Sequence, residues 1–347
     1  MSASRLEFAC AGSGLVFPET GRIGVYRARP GADYARIGGA ELILGNSFRP
    51  DFDQLAARGY DVQPQIAGPF RATLVHITRS KPETLGLVAR AMLATEPHGI
   101  VAVDGARTDG IDSILKAVKS LLPPLGVVAK AHGKLFWFAR PESLPVSVPR
   151  WSAWLEPAKN PAGFLTAPGM FSPGKIDKGS ALLAAHIDDR LKGDIADLGA
   201  GWGWLAQAVL TRGAPTRLDL HEAEQTALDA ARANINDPRA YFHWADVLRL
   251  GTDRTYDAVI TNPPFHRGRA AEASLGAEFI KSAANILKPN GHLWLVANRQ
   301  LPYENVLDTC FHRFETLEQT PYFKVFRAAK PRIASARNPA RIRIGSR

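Results

Sequence analysis

The amino-acid sequence predicts an α/β fold made of two tandem domains, each with a mostly parallel, twisted sheet and helices on both faces. A glycine-rich turn, Asp197-Leu198-Gly199-Ala200-Gly201-Trp202-Gly203, separates an apolar strand from an apolar helical run over residues 205–210. A further apolar strand, residues 258–260, stops at the loop Asn262-Pro263-Pro264-Phe265, because consecutive prolines continue neither a sheet nor a helix interior. One order of helices and strands also occurs in both halves of the chain. Strands that alternate with helices are typical of parallel sheets covered on both faces.

The repeated order of elements indicates a duplication, with a chance echo as the alternative. In the first half we predict a helix at 85–95, a turn at 97–99, a strand at 100–103, a helix at 111–121 and a strand at 134–138. In the second half the corresponding elements are a helix at 277–287, a turn at 289–291, a strand at 292–297, a helix at 304–311 and a strand at 323–326. We expect the turn glycines, Gly99 and Gly291, to cap the helices before them.

The first half lacks the residues that give the second half its chemistry. Its strand at 72–77 runs into Thr78-Arg79-Ser80-Lys81, and its nearest candidate for a glycine-rich turn, residues 42–46, has a single glycine. Residues 141–173 carry seven prolines together with Trp151 and Trp154, which predicts a stiff linker that packs on a surface. We therefore predict a degenerate domain at 1–140, a linker at 141–173, a catalytic domain at 174–330 and a basic flexible tail at 331–347.

Composition limits the class of protein. The chain has 347 residues, 46% of them apolar, and a net charge of +10, which favours packed domains and a polyanionic partner. Two distant cysteines, Cys10 and Cys310, indicate neither a disulfide framework nor a metal site. No signal-peptide block and no run of about 18 apolar residues occurs, so we expect no membrane span and a cytoplasmic location.

The Asn-Pro-Pro-Phe loop has the groups that a planar substrate with an exocyclic amino group requires. The side-chain oxygen of Asn262 and the carbonyl of Pro263 can accept two N–H bonds, while Pro264 stiffens the loop and Phe265 can stack on the ring. The alternative is a proline-rich surface turn. The glycine-rich turn upstream favours the first interpretation, because glycines let a ligand approach the backbone at the start of a helix.

Two acidic residues complete a nucleotide-like pattern. Glu222 follows Gly203 by 19 residues at the end of a predicted strand, where a carboxylate would hold ribose hydroxyls. Asp246 follows a third predicted strand at 241–245. For Asp246, the alternative role is capping a helix that begins at Val247.

These motifs resemble the class I S-adenosylmethionine-dependent methyltransferases, and specifically the bacterial ribosomal-RNA guanine-N2 methyltransferase family of RsmC and RlmG type. The resemblance covers roughly residues 40–330. The matching stretches are Met170-Phe171-Ser172, Ile176-Asp177, Gly179-Ser180, 262–268, Val296-Ala297-Asn298, Leu301-Pro302-Tyr303-Glu304, 323–327, Thr78-Arg79-Ser80-Lys81, Glu83-Thr84, Val103-Asp104-Gly105, 108–112 and 130–134. The run at 298–303 resembles the enzyme of the small (16S) subunit more than its relative of the large subunit.

The resemblance implies two Rossmann-like methyltransferase domains and S-adenosyl-L-methionine as cofactor, with S-adenosyl-L-homocysteine as product. It places Asp197 near the amino end of the cofactor, lets Asp246 accept from the adenine amino group, and puts Asp177 and Phe171 close to the cofactor. It also implies that His266 moves a proton or contacts the substrate base. The alternative is a loop histidine that is hydrogen-bonded to the backbone.

The resemblance also implies ribosomal RNA or a ribosomal subunit as partner, and we expect a monomer without a metal. The residues that we predict to contact RNA phosphates are basic: Arg79, Lys81, Arg267, Lys324, Arg327, Lys330 and Arg332. Solvated surface charges and a solubilising tail are the alternatives for these positions. The predicted activity is methylation of a guanine N2 in rRNA by direct in-line transfer. The competing functions are methylation of adenine in DNA or of protein glutamine, and a non-catalytic RNA-binding assembly factor.

Overall fold

A computed structural model describes residues 5–37, 41–264 and 269–332, without the side chains of residues 36 and 269–272. Within these residues the chain forms two compact units. The first unit contains the residues up to 177 together with 200–207 and 221–246, and the second contains 178–199, 208–220 and the residues from 247 onward.

The first sheet has seven strands in the order β3-β2-β1-β4-β5-β7-β6. Its strands are β1 (Arg22–Tyr26), β2 (Glu41–Gly45), β3 (Asp61–Gln63), β4 (Phe70–His76), β5 (Thr95–Ala106), β6 (Gly126–Lys130) and β7 (Gly133–Ala139). The first five are parallel, and β7 pairs antiparallel with both β5 and β6.

The second sheet has seven strands in the order β12-β11-β10-β13-β14-β16-β15. Its strands are β10 (Lys192–Leu198), β11 (Ala214–Glu222), β12 (Ala240–Trp244), β13 (Tyr256–Thr261), β14 (Leu287–Asn298), β15 (Phe311–Gln319) and β16 (Phe323–Pro331). Two short strands, β8 (Ala158–Lys159) and β9 (Leu165–Thr166), pair with each other.

Helices connect the strands of both sheets. They are α1 (Arg5–Gly12), α2 (Arg49–Ala57), α3 (Lys81–Ala94), α4 (Ile111–Lys119), α5 (Ser147–Ala153), α6 (Lys178–Ala185), α7 (Trp204–Arg212), α8 (Gln225–Asn234), α9 (Arg269–Ile286) and α10 (Glu304–Cys310). Single 3₁₀ turns lie at Ala35–Ile37, Arg107–Asp109 and Val247–Arg249.

The two sheets share one topology. Numbered within each sheet, both have the order 3-2-1-4-5-7-6, in which the first five strands follow the doubly wound arrangement. The prediction of an α/β fold with two tandem, mostly parallel domains is confirmed. In such sheets ligands bind at the carboxyl ends of the strands where the order reverses, which here means the ends of β1 and β4, and of β10 and β13.

The linker packs as predicted. Val148 of α5 is fully buried in an apolar cluster with residues of α3, β4 and β5, and Trp151 and Trp154 lie against that cluster with their rings 6.3 Å apart. The proposed domain boundaries stay a prediction.

The prediction that Gly99 and Gly291 cap helices is wrong. Helices α3 and α9 end at Ala94 and Ile286, and both glycines lie inside the following strands. A Cβ on Gly99 would lie 2.5 Å from the carbonyl oxygen of Arg71, so glycine is required there for close backbone packing.

Candidate active site

The carboxyl ends of β10 and β13 bring two predicted motifs to the same level. These parallel strands pair Asp197 with Ile260 and Leu198 with Thr261. The hydroxyl of Thr261 donates to the carbonyl of Leu198 over 2.7 Å and closes this end of the pair. Gly199 and Asn262 are therefore the first residues after two neighbouring strands, and they lie side by side.

Asn262 is held by a helix residue. Its side-chain nitrogen donates to the hydroxyl of Ser180 over 2.8 Å, and Ser180 lies on α6. An amide anchored through its nitrogen presents its oxygen as the acceptor. Pro263 is buried and Pro264 is half-buried, which fits a rigid loop. Phe265, His266 and Arg267 lie outside the described residues.

The glycines of the turn are required by backbone geometry. Gly199, Gly201 and Gly203 have φ angles of 77°, 57° and 90°, in the left-handed region that side chains disfavour. A Cβ on Gly203 would lie 2.8 Å from Ile235, so this glycine lets α8 pack closely. A Cβ on Gly201 would meet no atom within 4 Å, which leaves open space beside the backbone.

Glu222 ends β11 and is bound to the turn. Its Oε2 accepts from the N–H of Gly201 at 2.8 Å and its Oε1 accepts from the N–H of Glu224 at 2.7 Å. Ala200 also donates its N–H to the carbonyl of His221, at 3.2 Å. Burial raises the pKa of the Glu222 carboxyl, and the backbone N–H groups of Glu224 and Gly201 oppose this shift. The carboxylate is thus oriented and costly to ionise until further donors reach it.

Asp246 lies where the sequence predicts, after the third strand. It follows β12 and precedes the 3₁₀ turn at Val247–Arg249. The N–H of Ala245 donates to the carbonyl of Glu222 at 3.0 Å, which ties the end of β12 to the end of β11. The predicted contact of Asp246 with adenine stays a prediction.

Trp202 connects the turn to the predicted cofactor segment. Its indole N–H donates to the carbonyl of Phe171 over 2.8 Å, and its own carbonyl accepts from Asn234 at 2.9 Å. Asp177 directly precedes α6, the helix that contains Ser180. Sequence analysis assigned no role to Trp202 or Ser180, although Ser180 lies in one of the motifs that carry the resemblance.

The predicted RNA-contacting residues differ in their surroundings. Arg79 is 65% exposed in its side chain, with Nε 3.5 Å from Asp109, and Lys81 is exposed at the start of α3. Lys324 forms an ion pair with Glu304. The guanidinium of Arg327 lies 2.6 Å from Glu315, and Lys330 and Arg332 are exposed.

One exposed pair at the carboxyl edge of the second sheet was not predicted. Tyr322, in the β15–β16 turn, is 74% exposed, and its carbonyl accepts from the N–H of Arg299 at 2.8 Å. Arg299 is exposed too, directly after β14. The signal in the sequence that could have indicated this pair is an aromatic residue, Tyr322, in the turn between two apolar strands.

Comparisons with known proteins identify methyltransferases. The family model of the methyltransferase small domain matches residues 161–327. A ribosomal RNA small subunit methyltransferase C from Cronobacter sakazakii is 31% identical over 283 residues, which cover 80% of this chain and 81% of the relative. The protein of that name from Proteus mirabilis is 34% identical over 168 residues, 48% of this chain and 50% of the relative.

A solved structure is similar in fold over most of the chain. It is the Thermus thermophilus 16S rRNA N2 G1207 methyltransferase in complex with AdoMet and guanosine, with a TM-score of 0.72 at 23% identity, covering 91% of this chain and 90% of that chain. Two doubly wound sheets and the matching domain model define a two-domain methyltransferase. The chain belongs to the ribosomal RNA small subunit methyltransferase C family.

Proposed function

We propose that this protein transfers a methyl group from S-adenosyl-L-methionine to the exocyclic N2 of a guanine in 16S rRNA. The observation that carries the proposal is the Asn262 amide, fixed by Ser180 at the end of β13, beside the start of the glycine-rich turn at Gly199. The names of the relatives and the guanosine bound by the Thermus thermophilus protein supply the substrate class.

The chain's own groups can activate a weakly nucleophilic nitrogen. Bound S-adenosylmethionine supplies an electrophilic methyl group on its sulfonium. The lone pair of an exocyclic amine is delocalised into the ring, and two acceptors on its N–H bonds favour a tetrahedral nitrogen. The Asn262 side-chain oxygen and the Pro263 carbonyl provide those acceptors. They would also stabilise the positive charge that develops on nitrogen as the methyl carbon–sulfur bond breaks and S-adenosyl-L-homocysteine leaves. The nitrogen would lose its extra proton to solvent after the transfer, so no strong base is required.

The residues of the turn fit the cofactor. Glu222 holds an oriented carboxylate that ribose hydroxyls can reach, and the open space at Gly201 admits a ligand against the backbone. Asp197 is 1% exposed at the end of β10, where the resemblance assigns it to the amino end of the cofactor. The resemblance also assigns Asp246, Asp177 and Phe171 to the cofactor.

The RNA-contacting residues of each unit are proposed from charge and exposure. Arg79, Lys81, Lys330 and Arg332 are accessible to phosphates, whereas Lys324 and Arg327 would have to exchange a carboxylate partner. Arg299 and Tyr322 add a cation and an exposed ring at the edge where β13 and β14 end. That combination suits a flanking nucleotide, because every base can stack on an aromatic side chain.

The alternative substrates use similar acceptors, so the product must be identified directly. The purified protein is incubated with methyl-labelled S-adenosylmethionine and small ribosomal subunits that lack the modification. Nucleosides and peptides are then analysed by mass spectrometry. We expect N2-methylguanosine in 16S rRNA. Labelled N6-methyladenosine or methylglutamine would select a competing enzyme, and cofactor binding without transfer to any of these substrates would favour an assembly factor.

A further inference from the structure

The first sheet keeps the turn of a cofactor site but not its glycine. Strand β1 ends at Tyr26, and the next residue, Arg27, has a φ of 53°. In the second sheet Gly199 follows β10 in the same way, with a φ of 77°. A left-handed backbone conformation is unfavourable for arginine. Such strain persists only where the contacts of the surrounding structure fix the residue in place.

The Arg27 side chain connects two carboxylates. Its guanidinium donates to Glu83 over 2.5 Å, to Glu224 over 2.7 Å and to the hydroxyl of Ser47 over 3.0 Å. Ser47 in turn donates to Glu224. Burial disfavours the ionised Glu224, but Arg27 and Ser47 outweigh it and hold the pKa of Glu224 below its ordinary value. Both carboxylates are thus fixed around one guanidinium.

Glu224 is directly linked to the carboxylate proposed to bind ribose. Its N–H donates to Oε1 of Glu222 at 2.7 Å. The same segment is held on both sides: Arg49 donates its N–H to the carbonyl of Ala223 at 2.8 Å, and Gln225 donates its N–H to the carbonyl of Ser47 at 2.8 Å. Any shift of Glu224 therefore moves the group that orients Glu222.

The space beside Arg27 is too small for a second cofactor. A cavity of about 110 Å³ is lined by Arg27, Asn46, Glu83, Arg90 and Thr226 among others. Pockets for ligands of cofactor size measure about 300–1,000 Å³. This cavity is therefore smaller than a cofactor pocket, which favours a supporting role for the end of the first sheet.

We propose that Arg27 is a positioning residue for cofactor binding, because it fixes Glu224 and thereby the Glu222 carboxylate. Through this contact the degenerate N-terminal sheet sets the cofactor affinity of the catalytic site. The inference rests on the proposed function, since it assigns Glu222 to the cofactor. Arg27 acts through Glu224 and not on a reacting atom. A substitution of Arg27 should therefore raise the KM for the cofactor and leave kcat unchanged.

The test compares Arg27→Met and Glu224→Gln with Arg5→Met in the full-length chain. Arg5 is a matched control, because its Nε lies 2.5 Å from Asp104 and its side chain is only 14% exposed. Its guanidinium donates to Asp104 and to the carbonyls of Lys130 and Ala131, which lie far from the 222–225 segment in the sequence. KM for S-adenosylmethionine, kcat and thermal stability are measured for each protein. We expect Arg27→Met and Glu224→Gln to raise the KM for S-adenosylmethionine about tenfold and to leave kcat nearly unchanged. An effect of about this size follows the loss of residues that orient the ligands of metal sites.

The control separates positioning from general stability. Arg5→Met is expected to lower the melting temperature and leave KM unchanged, and the double variant Arg27→Met/Glu224→Gln is expected to be no worse than either single one. Glu224→Gln keeps the size of the side chain, so it remains informative where Arg27→Met fails to fold. A wild-type KM in folded Glu224→Gln, or an equal rise in Arg5→Met, would overturn the inference. A wild-type protein that binds no cofactor would instead overturn the proposed function.

Discussion

The side-chain nitrogen of Asn262 lies 2.8 Å from the hydroxyl of Ser180, and this contact fixes the amide at the end of β13. The two residues are 82 positions apart in the sequence. The contact turns a loop asparagine into an oriented acceptor at the carboxyl edge of the sheet. Two of the predictions that follow depend on it directly.

Asn262→Ala should abolish most of the activity. Loss of an acceptor used in the transition state is expected to lower kcat by roughly 100-fold or more, about 2.7–4 kcal/mol, while cofactor affinity stays the same. Single-turnover methylation and calorimetry measure the two quantities. Asn305→Ala serves as control, because Asn305 is exposed on α10. Methylation by Asn262→Ala at a near-normal rate would contradict the mechanism.

Ser180→Ala should have a smaller effect of the same kind. The Asn262 amide loses one hydrogen bond but remains in place, so kcat should fall up to about tenfold, which corresponds to about 1.4 kcal/mol. Ser180→Thr retains a hydroxyl and should recover part of the rate. Equal activity of the alanine and wild-type proteins would show that the amide is oriented by other contacts.

Glu222→Ala should weaken cofactor binding. A carboxylate that accepts ribose hydroxyl bonds contributes roughly 1.5–3 kcal/mol, so calorimetry should show a loss of this size. Asp219 provides a control on the same strand: it is fully buried, lies 2.8 Å from Arg217 and accepts from the Tyr256 hydroxyl at 3.0 Å. Unchanged affinity in Glu222→Ala would move the ribose contact to another residue.

Cofactor affinity should depend on pH through Glu222. Burial raises the pKa of this carboxyl in the free protein, and ribose donors stabilise its ionised form, so the pKa falls when the cofactor binds. Binding then releases a proton, and the affinity, complete above the raised pKa, declines as the pH falls through it. Calorimetry between about pH 5 and 8 measures the dependence. Glu222→Gln should remove it, and an identical pH profile in both proteins would exclude this role.

The N-terminal sheet should bind no cofactor. Arg27 replaces the glycine of its turn, and the adjoining cavity of about 110 Å³ is too small. Titration of the intact chain should therefore give one S-adenosylmethionine per monomer. Removal of residues 1–140 also removes Arg27, Ser47 and Glu83, so the shortened protein should bind cofactor and RNA more weakly. A stoichiometry of two would refute a degenerate first domain.

Sequence patterns predicted the positions of those candidate site residues that lie in short continuous runs. The glycine-rich turn, Glu222 and the Asn262 loop each follow a strand at a typical spacing, and the structure places them at strand ends. The identical order of strands in the two sheets also agrees with the repeated pattern of helices and strands.

Pairings between distant segments could not be predicted in this way. Ser180 and Arg27 act through partners 82 and 197 positions away, and no local pattern indicates such contacts. The charge of Lys324 and Arg327 suggested RNA binding, but Glu304 and Glu315 already pair with them. The prediction that Gly99 caps a helix was wrong. A glycine that ends a helix and a glycine that lets a strand approach the backbone of Arg71 cannot be distinguished from the local sequence.

Mass mapping of rRNA from a deletion strain tests the central claim most directly. Digested 16S rRNA from that strain should lack one N2-methylguanosine that the parent strain contains, at a single position. The wild-type gene should restore the modified guanine, and a gene encoding Asn262→Ala should not. A full set of N2-methylguanosines in the deletion strain, together with the loss of a methyl group from adenine or from a protein glutamine, would contradict the account.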